Sequence, residues 1–319
     1  MASIPLPRVR IAHLPTPIED LPRVSRHLGG PALWAKRDDL TGLAFGGNKV
    51  RKLEYFLAQA QAQGADTIIT RGALQSNHCR QTAAAAARVG LDCVLVLSGT
   101  RPKHISANLQ LDLLLGAEIV WTDANEAEST LQAAFDDLQS QARKPYLIPL
   151  GGTNPLGVYA FSVAMQEFLG QGVQVDRIVV ASASGGTQAG LILGARLHGF
   201  EGNITGISTH SSAHKLQNTI MDLIHETSQE LSMGAHVSRE DVEVIDGYQL
   251  HASPAAARGA KHAIETFARF EGLLLDPTYT SIAANGMMDL IHLGVIHADE
   301  RVLFWHTGGA PALFADSGG

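Results

Sequence analysis

Cysteine is nearly absent from this chain: Cys79 and Cys93 are the only two in 319 residues. Two are too few for a disulfide framework, and neither sits in a CxxC-type metal-ligand spacing, so a disulfide scaffold and a zinc ribbon are both excluded. A reducing compartment suits such a chain. No run of about 20 apolar residues occurs, so no membrane-spanning helix is expected. The first stretch, Met1 to His13, carries prolines and arginines without an apolar h-region, and we read no leader in it. Positive charge is also short. With 24 basic against 31 acidic side chains, the net charge of -7 offers no basic surface for nucleic acid or an anionic membrane. Internal repeats and low-complexity linkers are missing too. What is present is 45% hydrophobic and 17% charged residues, enough to bury a full core in one large or two modest domains.

From Leu33 onward, short β-branched or aliphatic runs alternate with longer segments of helical period, which predicts an α/β fold with parallel strands covered by helices. Strands are expected at 66–70, 93–97, 118–121, 146–148, 177–181, 204–208 and 302–305. Most are continuous apolar runs, as in strands covered on both faces. Helices are expected at 49–63, 81–89, 106–115, 126–143, 157–169 and 188–197, and 211–238 reads as helical and amphipathic. Any division into domains would pass through ordinary connections near Lys49 and Gly157.

Five segments could carry chemistry. In Gly46-Gly47-Asn48-Lys49-Val50-Arg51-Lys52, two glycines let backbone approach a ligand and a lysine opens a helix. Such a lysine can form an imine if its pKa is depressed, and Arg51, Lys52 and the helix N-terminus would all disfavour its protonated form. A solvated basic first turn is the plain alternative. Gln75-Ser76-Asn77-His78-Cys79-Arg80 follows a strand and precedes an alanine-rich helix, where free N–H groups favour an anion such as a carboxylate. An ordinary helix cap by Ser76 or Asn77 would look the same. Ser182-Ala183-Ser184-Gly185-Gly186-Thr187-Gln188 has the form of a phosphate cradle. It is neither a Walker A loop nor a GxGxxG turn. Near the C-terminus, Leu275 to Ser281 offers Tyr279 to stack on a planar ring, and Trp305 to Pro311 offers hydroxyls that could meet a pyridine nitrogen. Each of these two, taken alone, reads as well as a structural turn.

Together the five segments, with Leu14-Pro15-Thr16-Pro17 and Lys36-Arg37-Asp38-Asp39, resemble the pyridoxal 5′-phosphate (PLP) dependent D-cysteine desulfhydrase and 1-aminocyclopropane-1-carboxylate (ACC) deaminase family, of the tryptophan-synthase-β-like fold. The matches run in the family's order over nearly the whole chain. The resemblance implies a large PLP-binding domain of residues 1–51 plus 159–319 and a small domain of 52–158. It makes Lys49 the Schiff-base lysine and Asn77 the partner of the PLP ring oxygen. Ser184, Gly185, Gly186 and Thr187 become the phosphate grip. Tyr279 would stack on the pyridine, with Thr280 and Thr307 near its nitrogen. Ser76, Asn77 and His78 would hold the substrate carboxylate, and Ser76 and Tyr279 join Lys49 as candidate catalytic residues. A cytoplasmic homodimer acting on a small amino acid is implied as well.

Within the family, ACC deaminases look like they carry Gln-Thr after the Ser-Asn pair and a glutamate after the stacking tyrosine, where this chain has His78-Cys79 and Thr280. It therefore resembles the desulfhydrase branch, a carbon-sulfur lyase releasing pyruvate, ammonia and sulfide. ACC deaminase, an L-cysteate sulfo-lyase and a PLP-binding protein without catalysis stay open beside it. Two departures bear on the substrate. Ser253 stands where the family's Gly-Tyr-Gly tyrosine is expected, and Ser281-Ile282 replace the usual Gly-Lys. His251 is a candidate to fill the vacated space, or a surface histidine.

Overall fold

The computed structural model describes residues 5–315. Residues 1–4, part of the segment read as leaderless, lie outside it. Along the chain run β1 (Ile18–Asp20), α1 (Pro22–Leu28), β2 (Ala32–Arg37), α2 (Lys49–Ala62), β3 (Thr67–Ala73), α3 (Asn77–Val89) and β4 (Asp92–Ser98). Then come α4 (Ala107–Leu114), β5 (Glu118–Thr122), α5 (Ala127–Ser140), β6 (Pro145–Leu147), α6 (Pro155–Gly170), β7 (Arg177–Ser182) and α7 (Gly186–His198). The chain closes with β8 (Asn203–Ser208), α8 (Ala213–Glu230), β9 (Glu243–Ile245), α9 (Pro254–Glu271), α10 (Thr280–His292) and β10 (Arg301–His306). The α/β class read from the sequence is the class observed.

The strands form two sheets. One has the order β1-β2-β10-β7-β8-β9, parallel except for β1, and the other is β5-β4-β3-β6, parallel throughout. Parallel neighbours require crossovers, and the helices supply them. Period-two alternation decides what each face buries. In β7, Ile178 and Val180 pack with α6, α7 and α8 residues such as Phe161, Leu191 and Ile220, whereas Val179 turns to Phe267 and Ile282 of α9 and α10. In β3, Ile68 joins Phe56 and Ala83 of α2 and α3, while Ile69 joins Leu131 and Leu138 of α5.

All seven expected strands are present; β1, β2 and β9 carry no strand signature in the sequence. One correction concerns α3, which starts at Asn77 rather than 81 because Ser76 caps it, its Oγ accepting the Cys79 N–H at 3.1 Å. The helix expected over 211–238 stops at Glu230, where Leu231 caps it and Ser232 takes a φ of 50°. Lys49 and Gly157, near which a division in ordinary connections is expected, lie in the first turns of α2 and α6.

The start of α2 is fixed by a buried ionic cluster. Arg51 donates to both oxygens of Asp38 at 2.8 and 2.9 Å and to both of Glu167 at 2.9 Å, and Lys36 Nζ reaches Glu167 at 2.7 Å. Trp305 Nε1 adds a 2.9 Å bond to Asp38. Burial opposes the Glu167 charge, yet Arg51 and Lys36 hold its carboxyl down to about 2. Four strands and helices thus agree on where residue 49 begins its turn.

Candidate active site

A cavity of about 550 Å³ opens between the two sheets, at the carboxyl ends of β3, β7 and β10. That is where α/β folds leave helix N-termini and free backbone groups facing a crevice. Lys49, Ser76, Asn77, His78, Ser184, Gly185, Thr187, Tyr279 and Thr307 all line it. The sequence scatters these residues over 259 positions, from Lys49 to Thr307 counted inclusively, and the fold brings them to one wall-to-wall space.

Lys49 opens α2 at the cavity. Desolvation lowers its pKa to about 8. Arg51 does not contribute as the sequence suggested, because its guanidinium turns away into the Asp38–Glu167 cluster. Lys52, one turn on and on the same helix face, is wholly buried; burial first, then the Lys49 charge, drive its pKa well down. Its Nζ lies 3.2 Å from the Gly151 carbonyl oxygen, and a Cβ placed on Gly186 would stand 3.1 Å from that same Nζ.

The turn before α7 is the second wall. Gly185 has a φ of 84°, which favours glycine, and a Cβ there would meet Ile220 at 2.9 Å. The backbone N–H groups of Gly185, Gly186 and Thr187 have no partner among the described residues. Thr187 Oγ1 accepts from Asn48 Nδ2 at 3.0 Å, and Ser184 Oγ shares a 2.6 Å bond with Thr153. Three open amides at a helix N-terminus with a buried ammonium beside them form an anion seat. The fully buried Ser182 Oγ, also on this wall, lacks a partner among the described residues.

Helix α3 supplies the third wall. Asn77 Oδ1 is taken by Asn108 Nδ2 at 2.9 Å, so what Asn77 has left to offer is its own amide N–H, a donor suited to a phenolate oxygen. His78 Nε2 lies 2.9 Å from Thr70 Oγ1, whose proton goes to the Ile148 carbonyl at 2.7 Å. Nε2 must therefore carry the ring proton, leaving Nδ1 a bare acceptor without a partner among the described residues. Burial, then the Lys49 and Lys52 charges, push the His78 pKa well down, so the ring is neutral. A neutral ring with an open lone pair cannot donate to a carboxylate. The open backbone N–H groups of Asn77 and His78 can.

Tyr279 stands at the N-cap of α10, held by the loop before it. Asp276 accepts from the amides of Thr278, Tyr279 and Thr280 at 2.9, 3.0 and 2.8 Å and from Thr280 Oγ1 at 2.7 Å. Burial, then the neighbouring Asp276 charge, raise the Tyr279 phenol to about 12, so it stays protonated. Thr280 does not line the cavity. Its hydroxyl is spent between the Asp276 carboxylate and the Asp276 N–H, which it accepts at 2.8 Å, and the threonines lining the cavity are Thr187, Thr278 and Thr307. Ser253 is also away from the wall, capping α9 with Oγ accepting from Ala256 N at 3.0 Å. Tyr248 spends its hydroxyl on Asp289, and exposed His251 is felt electrostatically by His210, whose ring lies 5.8 Å from that of Tyr279.

Three placements escaped the sequence reading: Lys52, read only as a charge near Lys49, beneath the glycine turn, Asp276 beneath Tyr279, and Arg71 on the cavity wall. The Lys49–Lys52 spacing of three was the one available signal for the first. The other two depend on contacts made only in three dimensions.

The family model described as pyridoxal-phosphate dependent enzyme matches residues 9–308. A D-cysteine desulfhydrase from Salmonella choleraesuis (strain SC-B67) is 38% identical over 319 residues, covering 97% of this chain and 96% of the relative. An ACC deaminase from Methylobacterium nodulans is 38% identical over 315 residues, covering 94% and 93%. Among solved structures, one described as an ACC deaminase homologue superimposes with a TM-score of 0.88 at 37% identity, covering 97% of this chain and 94% of that one.

Proposed function

Because the chain belongs to the pyridoxal-phosphate dependent enzyme family, a PLP-dependent lyase of the ACC deaminase and D-cysteine desulfhydrase group, we propose that it eliminates a sulfur substituent from Cβ of a small amino acid. In D-cysteine desulfhydrase-like form, the products are pyruvate, ammonia and sulfide. The chemistry of the lining residues suits the cofactor. The open amides of Gly185, Gly186 and Thr187 with buried Lys52 would take the phosphate, and the amide group of Asn77 would take the ring oxygen. Protonated Tyr279 would cover the ring, and Thr307 would meet its nitrogen. Lys49 would bond the aldehyde carbon.

When bound, the pyridine ring withdraws electrons from the substrate Cα and makes its proton removable. The rest falls to the chain's own groups. Backbone N–H groups of Asn77 and His78 orient the substrate carboxylate, at a helix N-terminus that favours negative charge. The Lys49 amine, with a pKa of about 8, is free often enough near neutrality to take the Cα proton. Ser76 Oγ, on the wall of the same cavity, can pass that proton on.

The observation that carries elimination over ring opening is that no carboxylate lines the cavity among the described residues. A hydroxyl at the ring nitrogen leaves it less fully protonated than a carboxylate would, and a weaker electron sink suits a good leaving group. The proposal includes residues 1–51 plus 159–319 as a PLP-binding domain, 52–158 as a second domain, and a cytoplasmic homodimer, which the free, buried Cys79 and Cys93 suit. The test is a panel of small amino acids in both enantiomers, with pyruvate, 2-oxobutyrate, sulfide and sulfite each measured. Pyruvate with sulfide or sulfite supports elimination. 2-Oxobutyrate from ACC overturns it in favour of deamination, and no Cα proton exchange with any member would make the chain a PLP carrier.

A further inference from the structure

We propose that Asn108 is a positioning residue of the cofactor site: held by Arg80 and the Gln75 carbonyl, it fixes the Asn77 side-chain amide so that an N–H, and not a C=O, faces the cofactor's ring oxygen. This rests on the reading of the cavity as a PLP site and adds to it a residue that does not line the cavity.

An amide side chain can face a neighbour with either its oxygen or its nitrogen, and the neighbour's own polarity decides which. Asn108, on α4 and wholly buried, has two neighbours whose polarity cannot change. Arg80 Nε, which can only donate, lies 2.8 Å from Asn108 Oδ1, and the Gln75 carbonyl oxygen, which can only accept, lies 3.0 Å from Nδ2. Oδ1 must therefore face Arg80, and the second Nδ2 hydrogen meets Asn77 Oδ1 at 2.9 Å. What Asn77 has left is its own Nδ2, which makes no hydrogen bond among the described residues. That nitrogen lies 2.8 Å from where a Cβ on Gly309 would stand, beside Gly308 of the cavity lining.

The relay starts from a fixed donor. Arg80 is itself wholly buried, and its two Nη groups donate to the Ala44 and Gly46 carbonyl oxygens, the latter at 3.1 Å, in the turn that leads into Lys49. Ala44 and Phe45 there take φ values of 43° and 68°, which residues with side chains rarely adopt, so the turn keeps its shape through such bonds. The Asn108 backbone N–H is pinned as well, donating to Gln75 Oε1 at 2.9 Å. An Asn77 amide free to rotate would present its oxygen part of the time to a negatively charged oxygen. With Asn108 beside it, that orientation would set two Nδ2 donors face to face.

A double-mutant cycle on residues 77 and 108 tests this, read by PLP affinity of the cofactor-free protein and by the pH midpoint at which the visible absorbance of Lys49-bound PLP changes. A donor facing the ring oxygen stabilises negative charge there and favours loss of the proton held between that oxygen and the Lys49 nitrogen, so losing the donor raises the midpoint. Asn108→Asp keeps the side chain's size and a partner for Arg80, whose guanidinium holds the new carboxylate ionised, but that carboxylate can only accept. It should turn the Asn77 amide round, raise the midpoint by about one pH unit or more, and raise the PLP dissociation constant roughly tenfold or more, the scale of one charge-assisted contact. In an Asn77→Ala background the same change should move both readings far less, because Asn108 acts through Asn77. Equal effects in the two backgrounds would reveal a direct charge or folding effect of Asn108→Asp and overturn the inference. Should Asn108→Asp not fold, Asn77→Asp carries the test. Asn108 Nδ2 still meets an acceptor there, while a carboxylate oxygen replaces the outward N–H, so PLP affinity should fall further than in Asn77→Ala; affinity at the wild-type level would mean that the Asn77 oxygen already faced the cofactor, and the inference fails. If Asn77→Ala weakens PLP while Asn108→Asp leaves both readings unmoved, the inference fails and the PLP site stands. If purified protein takes up no PLP at Lys49, both fall.

Discussion

Replacing Lys52 by methionine should move cofactor affinity and cofactor-free stability in opposite directions. In the protein without PLP, the Lys52 amine is wholly buried, with the Gly151 carbonyl oxygen at 3.2 Å, the Phe161 ring at 5.9 Å and Lys49 one turn away. No carboxylate pairs with it among the described residues. An unpaired amine so placed costs stability, whether it is held charged or forced neutral, and an apolar side chain of similar length should recover about 1 kcal/mol or more. With PLP, the same substitution removes a charged donor to phosphate, worth about 1.5–3 kcal/mol, so the PLP dissociation constant should rise roughly 10- to 150-fold. The pH dependence gives a third sign. The folded pKa of Lys52 is lowered, so between it and the unfolded value of about 10.4 the unfolded chain binds more protons and cofactor-free stability climbs with pH. Lys52→Met should flatten that climb. Urea unfolding of PLP-free protein at about pH 7 and about pH 9.5, with PLP titration at each, reads all three. A variant that is less stable without PLP yet binds PLP as tightly as before would refute the phosphate role and make Lys52 a structural lysine.

Three further outcomes are expected. Uptake of PLP by cofactor-free protein should accelerate as pH rises through about 8, because desolvation lowers the Lys49 amine to that value and only its free form bonds an aldehyde; stopped-flow absorbance checks it, and a flat profile would point to another amine. Asp276→Asn should cost about 1–3 kcal/mol in urea unfolding and weaken PLP binding, since one amide oxygen cannot serve the four donors that the two carboxylate oxygens serve. Ser76→Ala should lose the cap of α3, about 1 kcal/mol of stability, and also lower the turnover number more than it raises the Michaelis constant; an effect on stability alone would make Ser76 a cap and nothing more.

How much of this was legible in the sequence depends on whether a residue announces itself locally. The apolar runs of β4 and β7 are buried on both faces and read as strands at once. Strand β2 does not, because Lys36 and Arg37 interrupt it, and Lys36 is tolerated only because Glu167, more than a hundred residues away, waits for its ammonium. Helices α9 and α10 lack a sequence forecast although α9 has a Ser-Pro start and a Gly272 stop. Lys49, Gly185 and Asn77 were found through short motifs whose turn chemistry is local. Thr280 was placed at the ring nitrogen by its motif, yet its hydroxyl belongs to Asp276, a bond set by loop geometry. His78 was assigned to the carboxylate, and only the Thr70–Ile148 relay reveals that its buried ring carries the proton on Nε2 and leaves Nδ1 an acceptor.

The claim on which the site depends is that residue 49 supplies the amine bonded to the aldehyde while the glycine turn at 185–187 seats the phosphate. Borohydride reduction of the holoenzyme followed by proteolysis and mass spectrometry tests it most directly. A phosphopyridoxyl group on the peptide carrying Lys49, and on no other lysine, is the predicted result; its appearance on Lys52 instead, or on no peptide, would contradict the account.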